Sequence, residues 1–412
     1  MKAIANQLST WALALLLSLA ISCQPTAEES APGLTLTNPS DLDRSSSPVV
    51  VPVQELTEKG MDPAQPWAPF RDGKALPYQY DDLDRDGQAD ELAFLVDLKA
   101  GAEAQVEFRP ASEAPDFEPQ TRLLLGKKGE DGSITPLTEA DRMDNWTNQE
   151  TQAAFQFEGV GWENEQVAFR NYLDMRNGMD IFGKTTQELL LHRVGLQGDD
   201  DYHHLLDWGM DVLKVGSSLG AGSVALWYQD SLVRLTALDA DYRALTEGPV
   251  RSMFELNFRG VDLGDKKVDV RHLIGLYVDS YAYQAKVELS DVGGIEVVAG
   301  LVDLYDLPAQ TLEEDGHLAL YTYGLQSENQ DSLGMALLVE QALAPSAVAT
   351  DDLSGEIPDT HGLVMQAEGA GYHFYAAWEA SSETFATEAD FEAYLARELT
   401  LVGAPVGYTW TP

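Results

Sequence analysis

Fifteen consecutive residues, Tyr202-His203-His204-Leu205-Leu206-Asp207-Trp208-Gly209-Met210-Asp211-Val212-Leu213-Lys214-Val215-Gly216, hold two His, two Asp, a Lys, a Trp and a Tyr. A free imidazole titrates near neutrality, so His203 and His204 are candidates for moving protons. A second run, Arg170-Asn171-Tyr172-Leu173-Asp174-Met175-Arg176-Asn177-Gly178-Met179-Asp180-Ile181-Phe182-Gly183-Lys184, alternates apolar residues with Arg, Asp, Asn and Lys. Its cations, together with Lys214, suit an anionic group, and the Tyr172 hydroxyl can donate or accept a hydrogen bond. The same residues have a structural explanation. Asp207, Asp211 and Lys214 would then be ion pairs at strand ends, Trp208 and Met210 core, and Arg170 with Asp174 a polar ladder flanking Tyr172. On a strand, adjacent His203 and His204 face opposite sides, which argues against a shared metal.

The elements that must position these groups read as strands. In residues 167–173, Val167, Phe169, Asn171 and Leu173 share one face, and Ala168, Arg170, Tyr172 and then Asp174 share the other. The second face is polar and aromatic, which fits a strand lining a ligand and also a solvated one. Further strands are expected over 252–259, 268–275, 281–290, 295–303 and 317–325, separated by Gly- and Asp-rich turns. The pattern predicts a mostly β chain, a large antiparallel β-sandwich with few short helices. The clearest helix starts after Thr387 and carries Phe391, Tyr394, Leu395 and Leu399 at helical spacing, with a last strand expected around 402–408. No Gly-rich loop leads from a strand into a helix, and no Gly-x-Ser-x-Gly elbow or Cys-based metal site is present.

An acidic stretch carries a different chemistry. Asp82, Asp84, Asp86 and Asp90 fall at loop positions one, three, five and nine, with Gly87 at six. This spacing lets a tight loop wrap one calcium ion. Ala93 stands at position twelve, where an EF-hand has Glu, and a strand follows. An ion here would be structural, no cofactor is required, and the alternative is a plain acidic turn between strands.

Lys and Arg number 26 against 68 Asp and Glu, a formal charge of -42. Such a surface repels nucleic acid and anionic membrane faces, so no nucleic-acid partner is expected. Its simplest role is solubility. The single cysteine, Cys23, rules out a disulfide within the chain. Residues 1–23 read as a signal peptide, with Met1-Lys2, a short apolar core, and Leu19-Ala20-Ile21-Ser22-Cys23, which resembles a bacterial lipobox and would place lipid on Cys23. The expectation is a lipoprotein of the outer membrane or cell surface, facing the periplasm or the exterior, its membrane contact made through the lipid anchor. Residues 24–48 read as a flexible linker and 49–412 as a single large β-sandwich domain, with order beginning near Pro48-Val49-Val50-Val51-Pro52-Val53.

Six stretches carry a family likeness: Gly159-Val160-Gly161-Trp162-Glu163; Ala168 to Asn177; Asp180-Ile181-Phe182-Gly183-Lys184; Tyr202 to Gly220; Gln326-Ser327-Glu328 with Leu333-Gly334-Met335; and Tyr375-Ala376-Ala377-Trp378-Glu379. They resemble a domain-of-unknown-function family of lipoproteins from Bacteroidota and related bacteria, encoded in polysaccharide-utilisation clusters. The resemblance covers most of residues 50–412. It implies a galactose mutarotase-like supersandwich. Through the ulvan oligosaccharide dehydratase that the family resembles, it also implies removal of water from a terminal glucuronate or iduronate to leave a 4,5-unsaturated sugar. His204 departs from the pattern, standing where the family has an acidic or polar residue.

Such an elimination must neutralise the uronate carboxylate, take the weakly acidic C5 proton and protonate the leaving hydroxyl. Under this reading His203, His204 and Tyr172 are the candidate acid and base. Arg170, Lys214, Arg176 and Lys184 are the candidate carboxylate partners. Trp208 or Trp378 would stack on a sugar face, and His373 would join from the C-terminal end. The partner is then an oligosaccharide or polysaccharide containing uronate. Two alternatives remain: a non-catalytic glycan-binding lipoprotein on the same fold, or a glycoside hydrolase using a carboxylate pair among Glu158, Glu163 and Asp174.

Overall fold

The computed structural model describes residues 32–62, 64–142, 146–196, 201–236, 239–350 and 357–411, and the backbone at 354–355. The expected period-two alternation sets the architecture. A nine-stranded sheet is the largest layer, with Arg251–Asp262, Lys267–Tyr277, Ala282–Leu289, Gly371–Trp378 and Ser332–Glu340 as adjacent antiparallel members. One face packs against a five-stranded and a six-stranded sheet around a common core. Trp162 and Phe169 of the five-stranded sheet meet Phe254 and Tyr283 of the large one at ring distances of 5.0 and 5.1 Å. Tyr283 and Tyr372 are buried in that core, so their hydroxyls need partners. They donate to the backbone oxygens of Ala221 and Gly222 in the six-stranded sheet, at 2.7 and 2.5 Å. The chain is thus a mostly β, antiparallel sandwich, with three α-helices among the described residues.

The other face of the large sheet is partly covered by the helix Glu388–Gly403. Thr387 caps it by accepting a bond from the Asp390 amide at 3.2 Å. Its Phe391, Leu395 and Leu399 are buried against Tyr321, Ala336, Leu338 and Tyr375. The helix runs further than its spacing suggested, so the final strand is Gly407–Trp410 and does not begin at 402.

The N-terminal boundary needs correction. Gly33–Thr37 is a strand held between Glu103–Pro110 and Gly407–Trp410, and Arg44–Pro52 pairs with Glu91–Leu98. Residues 33–48 are therefore not a tether, and the folded domain begins well before residue 49. Leu34 and Leu36 are fully buried in a second, smaller core with Val106 and Phe108. Their two-residue spacing is a strand signal, masked by Ser, Thr and Pro on either side. The signal segment and Cys23 fall within residues 1–31, outside the described residues. Among the described residues no helix is long and apolar enough to cross a membrane.

Truncating Leu36→Ala should destabilise the domain by about 2–5 kcal/mol in chemical denaturation. An unchanged denaturation midpoint would mean that this segment is a linker after all.

Candidate functional site

In the five-stranded sheet, Val167–Tyr172 lies between Gly159–Glu163 and Met179–Lys184, and Gly209–Asp211 forms the edge beyond. Val167 and Phe169 enter the main core, while Ala168, Arg170 and Tyr172 alternate to the opposite face. That face is covered. Residues 185–196 and 201–208 fold over it, largely as turns, burying Leu190, Leu191, Val194, Tyr202 and Trp208 with Phe157, Ala168 and Phe182. His203 and His204 therefore sit in a turn and not on a strand.

Arg170 is the centre of what is buried there, with its side chain 1% exposed. The hairpin register sets it opposite Asp180. Its Nη2 bonds Asp180 and also reaches the Tyr172 hydroxyl and Asp211 Oδ2, each at 2.7 Å. Its Nη1 lies 3.3 Å from the Tyr202 hydroxyl and 3.5 Å from Glu158. Tyr172 in turn donates its proton to Asp180. One cation faces three carboxylates, and an unbalanced buried charge costs several kcal/mol. A bound proton relieves the excess. Burial, with Asp211 close by, raises the Asp180 carboxyl to about 7. Burial also pushes the Tyr172 phenol well above its usual range, so it stays a neutral donor.

His203 is where this cluster meets solvent. Its side chain is 61% exposed, its Nδ1 lies 3.3 Å from Asp211 Oδ2, and its ring sits 4.5 Å from that of Tyr202. The bond to Asp211 raises the imidazole above its ordinary value, with partial burial opposing. A carboxylate at Nδ1 makes that nitrogen the donor and leaves Nε2 to accept a proton. Arg176, 24% exposed, lies over the Tyr172 ring at 4.1 Å. It grips Asp174 through Nε at 2.9 Å and Nη2 at 2.6 Å. Buried Arg142 fixes the turn between these groups by donating to the carbonyls of Tyr172 and Asp174 at 2.9 and 2.8 Å, and to the Asn177 side chain at 2.6 Å.

Other residues singled out by the sequence lie elsewhere. Lys184 is fully buried, 3.4 Å from Glu163 and 2.6 Å from the Asn164 carbonyl, so it cannot meet a ligand. Trp208 is core beneath the covering turns. Trp378 is core too, its indole N–H donating to Asp331 at 2.7 Å. Neither indole offers a face to a sugar. His204 pairs with Asp201 at 2.9 Å in an exposed turn. Lys214 is exposed and makes no ion pair among the described residues. His373 belongs to the large sheet. Its neighbour Phe374 packs on Phe169 at 5.9 Å, so His373 points to the far side of the sandwich.

The acidic loop joins Tyr78–Asp81 to Glu91–Leu98 in a β-hairpin. Asp82, Asp84 and Asp86 bring carboxylate oxygens within 4.8 Å of one another. Asp90 does not join them, because it accepts from the amides of Leu83 and Asp84 at 2.6 and 3.2 Å. The expected set of four is a set of three, with the fourth closing the turn.

Four members of the cluster lie outside the candidate acid, base and carboxylate-binding set: Asp180 and Tyr202, Asp211, which the sequence presents as a strand-end ion pair, and Glu158, which it presents as a hydrolase carboxylate. Asp180 was within reach of the sequence. Counting outward from the turn at 173–178 pairs Arg170 with Asp180 across the hairpin.

The fold and the cluster define an antiparallel β-sandwich protein with an Arg-centred acid–base network opening on one histidine. The chain belongs to the family described as domain of unknown function DUF4861, whose model matches residues 36–407. It is similar to an uncharacterized protein, P7, of Formosa agariphila, with 25% identity over 347 residues, 78% of each chain. Among solved structures it is similar to an alpha-mannosidase from Enterococcus faecalis, with a TM-score of 0.44 and 9% identity over 93% of this chain and 46% of that one. A protein in the glycosyl hydrolase family 38 from the same organism gives a TM-score of 0.43 and 9% identity, over 93% and 48%. The chain spans about half the length of both.

Replacing Arg170 with Met leaves three buried carboxylates without their cation. The expected cost is about 3–5 kcal/mol near neutral pH. Without Arg170 the carboxyl groups bind protons more tightly when folded than when unfolded, so the deficit should shrink as pH falls. Denaturation curves at several pH values measure this. A small, pH-independent loss would contradict the charge arrangement.

Proposed function

We propose that this chain is a carbohydrate-active enzyme of the cell envelope, held by lipid on Cys23, that removes water from the non-reducing terminal uronate of an oligosaccharide. The observation that carries this reading is the His203–Asp211 pair, a solvent-facing imidazole aligned by a buried carboxylate at 3.3 Å. His203 Nε2 takes the C5 proton. The C4–O bond breaks, the hydroxyl leaves as water after receiving a proton from the same imidazole, and a C4=C5 double bond forms in conjugation with the carboxylate. The sugar loses one water, and no other atom or electron is exchanged.

Arg176 is the partly exposed cation beside Tyr172 and takes the uronate carboxylate. Arg170 has its charge shared among three carboxylates, so it positions Asp211 and Tyr172 and does not neutralise substrate. The likeness of the motifs to the ulvan dehydratase type supports the same chemistry. A hydrolase fits less well, because its two carboxyl groups stand about 5–9.5 Å apart across the scissile bond. Here Glu163 is fully buried on Lys184 and the amides of Leu190 and Leu191, Asp174 is buried and clamped by Arg176, and Glu158 is buried beside Arg170, so no two of them can flank a sugar.

The test uses oligosaccharides ending in saturated glucuronate or iduronate. New ultraviolet absorbance with loss of one water and no chain cleavage is expected. His203→Ala should lower kcat/KM by about 10²–10⁴-fold. No absorbance across a broad uronate panel would overturn elimination and leave glycan binding as the reading.

The pH profile follows from the same pair. The base works unprotonated, so activity should rise as pH climbs through the raised imidazole pKa. Asp211→Asn removes the bond that raises it and should move this ascending limb to lower pH. A limb unmoved by Asp211→Asn would exclude His203 as the base.

A further inference from the structure

Two cavities of about 330 and 520 Å³ open on the part of the nine-stranded sheet that the helix Glu388–Gly403 leaves uncovered. Both have Tyr277, Gln284, His373 and Val402 in their walls, so they are two lobes of one cleft. Each lobe is of a size that holds a small molecule, within about 300–1,000 Å³. This is the outer face of the large sheet. The Arg170 cluster occupies the outer face of the five-stranded sheet, on the other side of the sandwich.

Strand register explains why a cleft forms. Met253, Gly275, Gln284, His373 and Leu338 are successive cross-strand partners on five adjacent strands, a row running across the sheet. Gly275 has no side chain, which leaves a gap between Met253 and Gln284. Gly371, opposite Lys286, leaves another. Into the first gap face the Gln284 amide, the His373 imidazole and the Tyr277 hydroxyl, which also accepts from Arg251 at 2.9 Å. In the second lobe Tyr281 and Tyr394 stand edge to face at 6.3 Å, both half-buried.

Half-buried rings beside amide, imidazole and hydroxyl groups match a sugar, which presents C–H faces to aromatic rings and hydroxyls to polar side chains. Of the cations at the cleft, Arg44 donates to Asn38 and to the carbonyls of Leu401 and Ala404, and the others are paired with carboxylates. Arg251 pairs with Asp81 and Glu91, Lys286 with Glu288 and Arg397 with Glu398. We propose that this cleft is a second saccharide site, taking uncharged sugar units of the glycan whose uronate end is processed at His203. The choice of a saccharide as ligand rests on the carbohydrate reading above, whereas the cleft itself follows from the register.

Calorimetric titration with a panel of neutral pentose, hexose and deoxyhexose oligosaccharides tests it. Gly275→Leu fills the gap without forcing the backbone, since a Cβ there meets nothing nearer than Met253 at 3.4 Å. This variant should weaken binding by about tenfold or more. Gln284→Ala with His373→Ala should do the same, while His203→Ala should bind as the wild type does. Binding unaffected by Gly275→Leu, or no binding by the wild type to any panel member, would overturn the second site. Turnover lost in His203→Ala together with no neutral-sugar binding would sink the cleft alone. Cleft binding with no turnover by the wild type would sink the elimination alone.

Discussion

Arg170 carries one positive charge into a place where Glu158, Asp180 and Asp211 bring three negative ones. A buried charge is tolerated only when it is paired and hydrogen-bonded, and this one is over-paired. The excess is relieved by protons: burial and the nearby Asp211 hold the Asp180 carboxyl well above the usual carboxylate range, and burial keeps the Tyr172 phenol a donor. Asp211 touches Arg170 on one side and His203 on the other, so the exposed His203 imidazole feels the state of the buried network. Remove the guanidinium, and both the covering turns and the alignment of His203 lose their anchor.

The sandwich gives that anchor its rigidity. Val167–Tyr172 is a central strand, flanked on both sides and backed by Phe169 in the main core, so Arg170 has little freedom to move. Leu190, Leu191, Val194, Tyr202 and Trp208 add a small apolar cluster that seals the outer face and lowers the local dielectric. A dry setting strengthens each bond to Arg170 and raises the cost of leaving any partner unpaired. The same antiparallel register builds the cleft on the far face, where glycine in one row makes a cavity that a larger residue would fill.

Much of the fold was legible because strand alternation reports burial directly. The strands of the large sheet and the capped C-terminal helix fall close to where apolar spacing placed them. What hid was long-range. Leu34 and Leu36 look like part of a tether until Val106 and Gly407–Trp410 flank them. The site was half legible: Arg170, Tyr172, Arg176 and His203 do come together. Lys184, Trp208 and Trp378 did not follow, because nothing in the sequence shows that a polar segment folds back over the strand face or that Gly183 receives the Trp378 ring. His373 was separated from the cluster by strand parity, since its neighbour faces the core. Asp90 was assigned by loop spacing alone, which does not reveal that the turn's own amides claim its carboxylate.

The central claim is that the C5 proton is removed at His203 and not that a glycosidic bond is hydrolysed. An oligosaccharide deuterated at C5 of its terminal uronate tests this most directly, with the product followed by mass spectrometry and the rate compared with the protonated form. The account predicts an unsaturated product that has lost the deuterium along with the elements of water, and a slower rate for the deuterated substrate whenever proton removal limits turnover. A cleaved, saturated sugar that keeps its deuterium would contradict it.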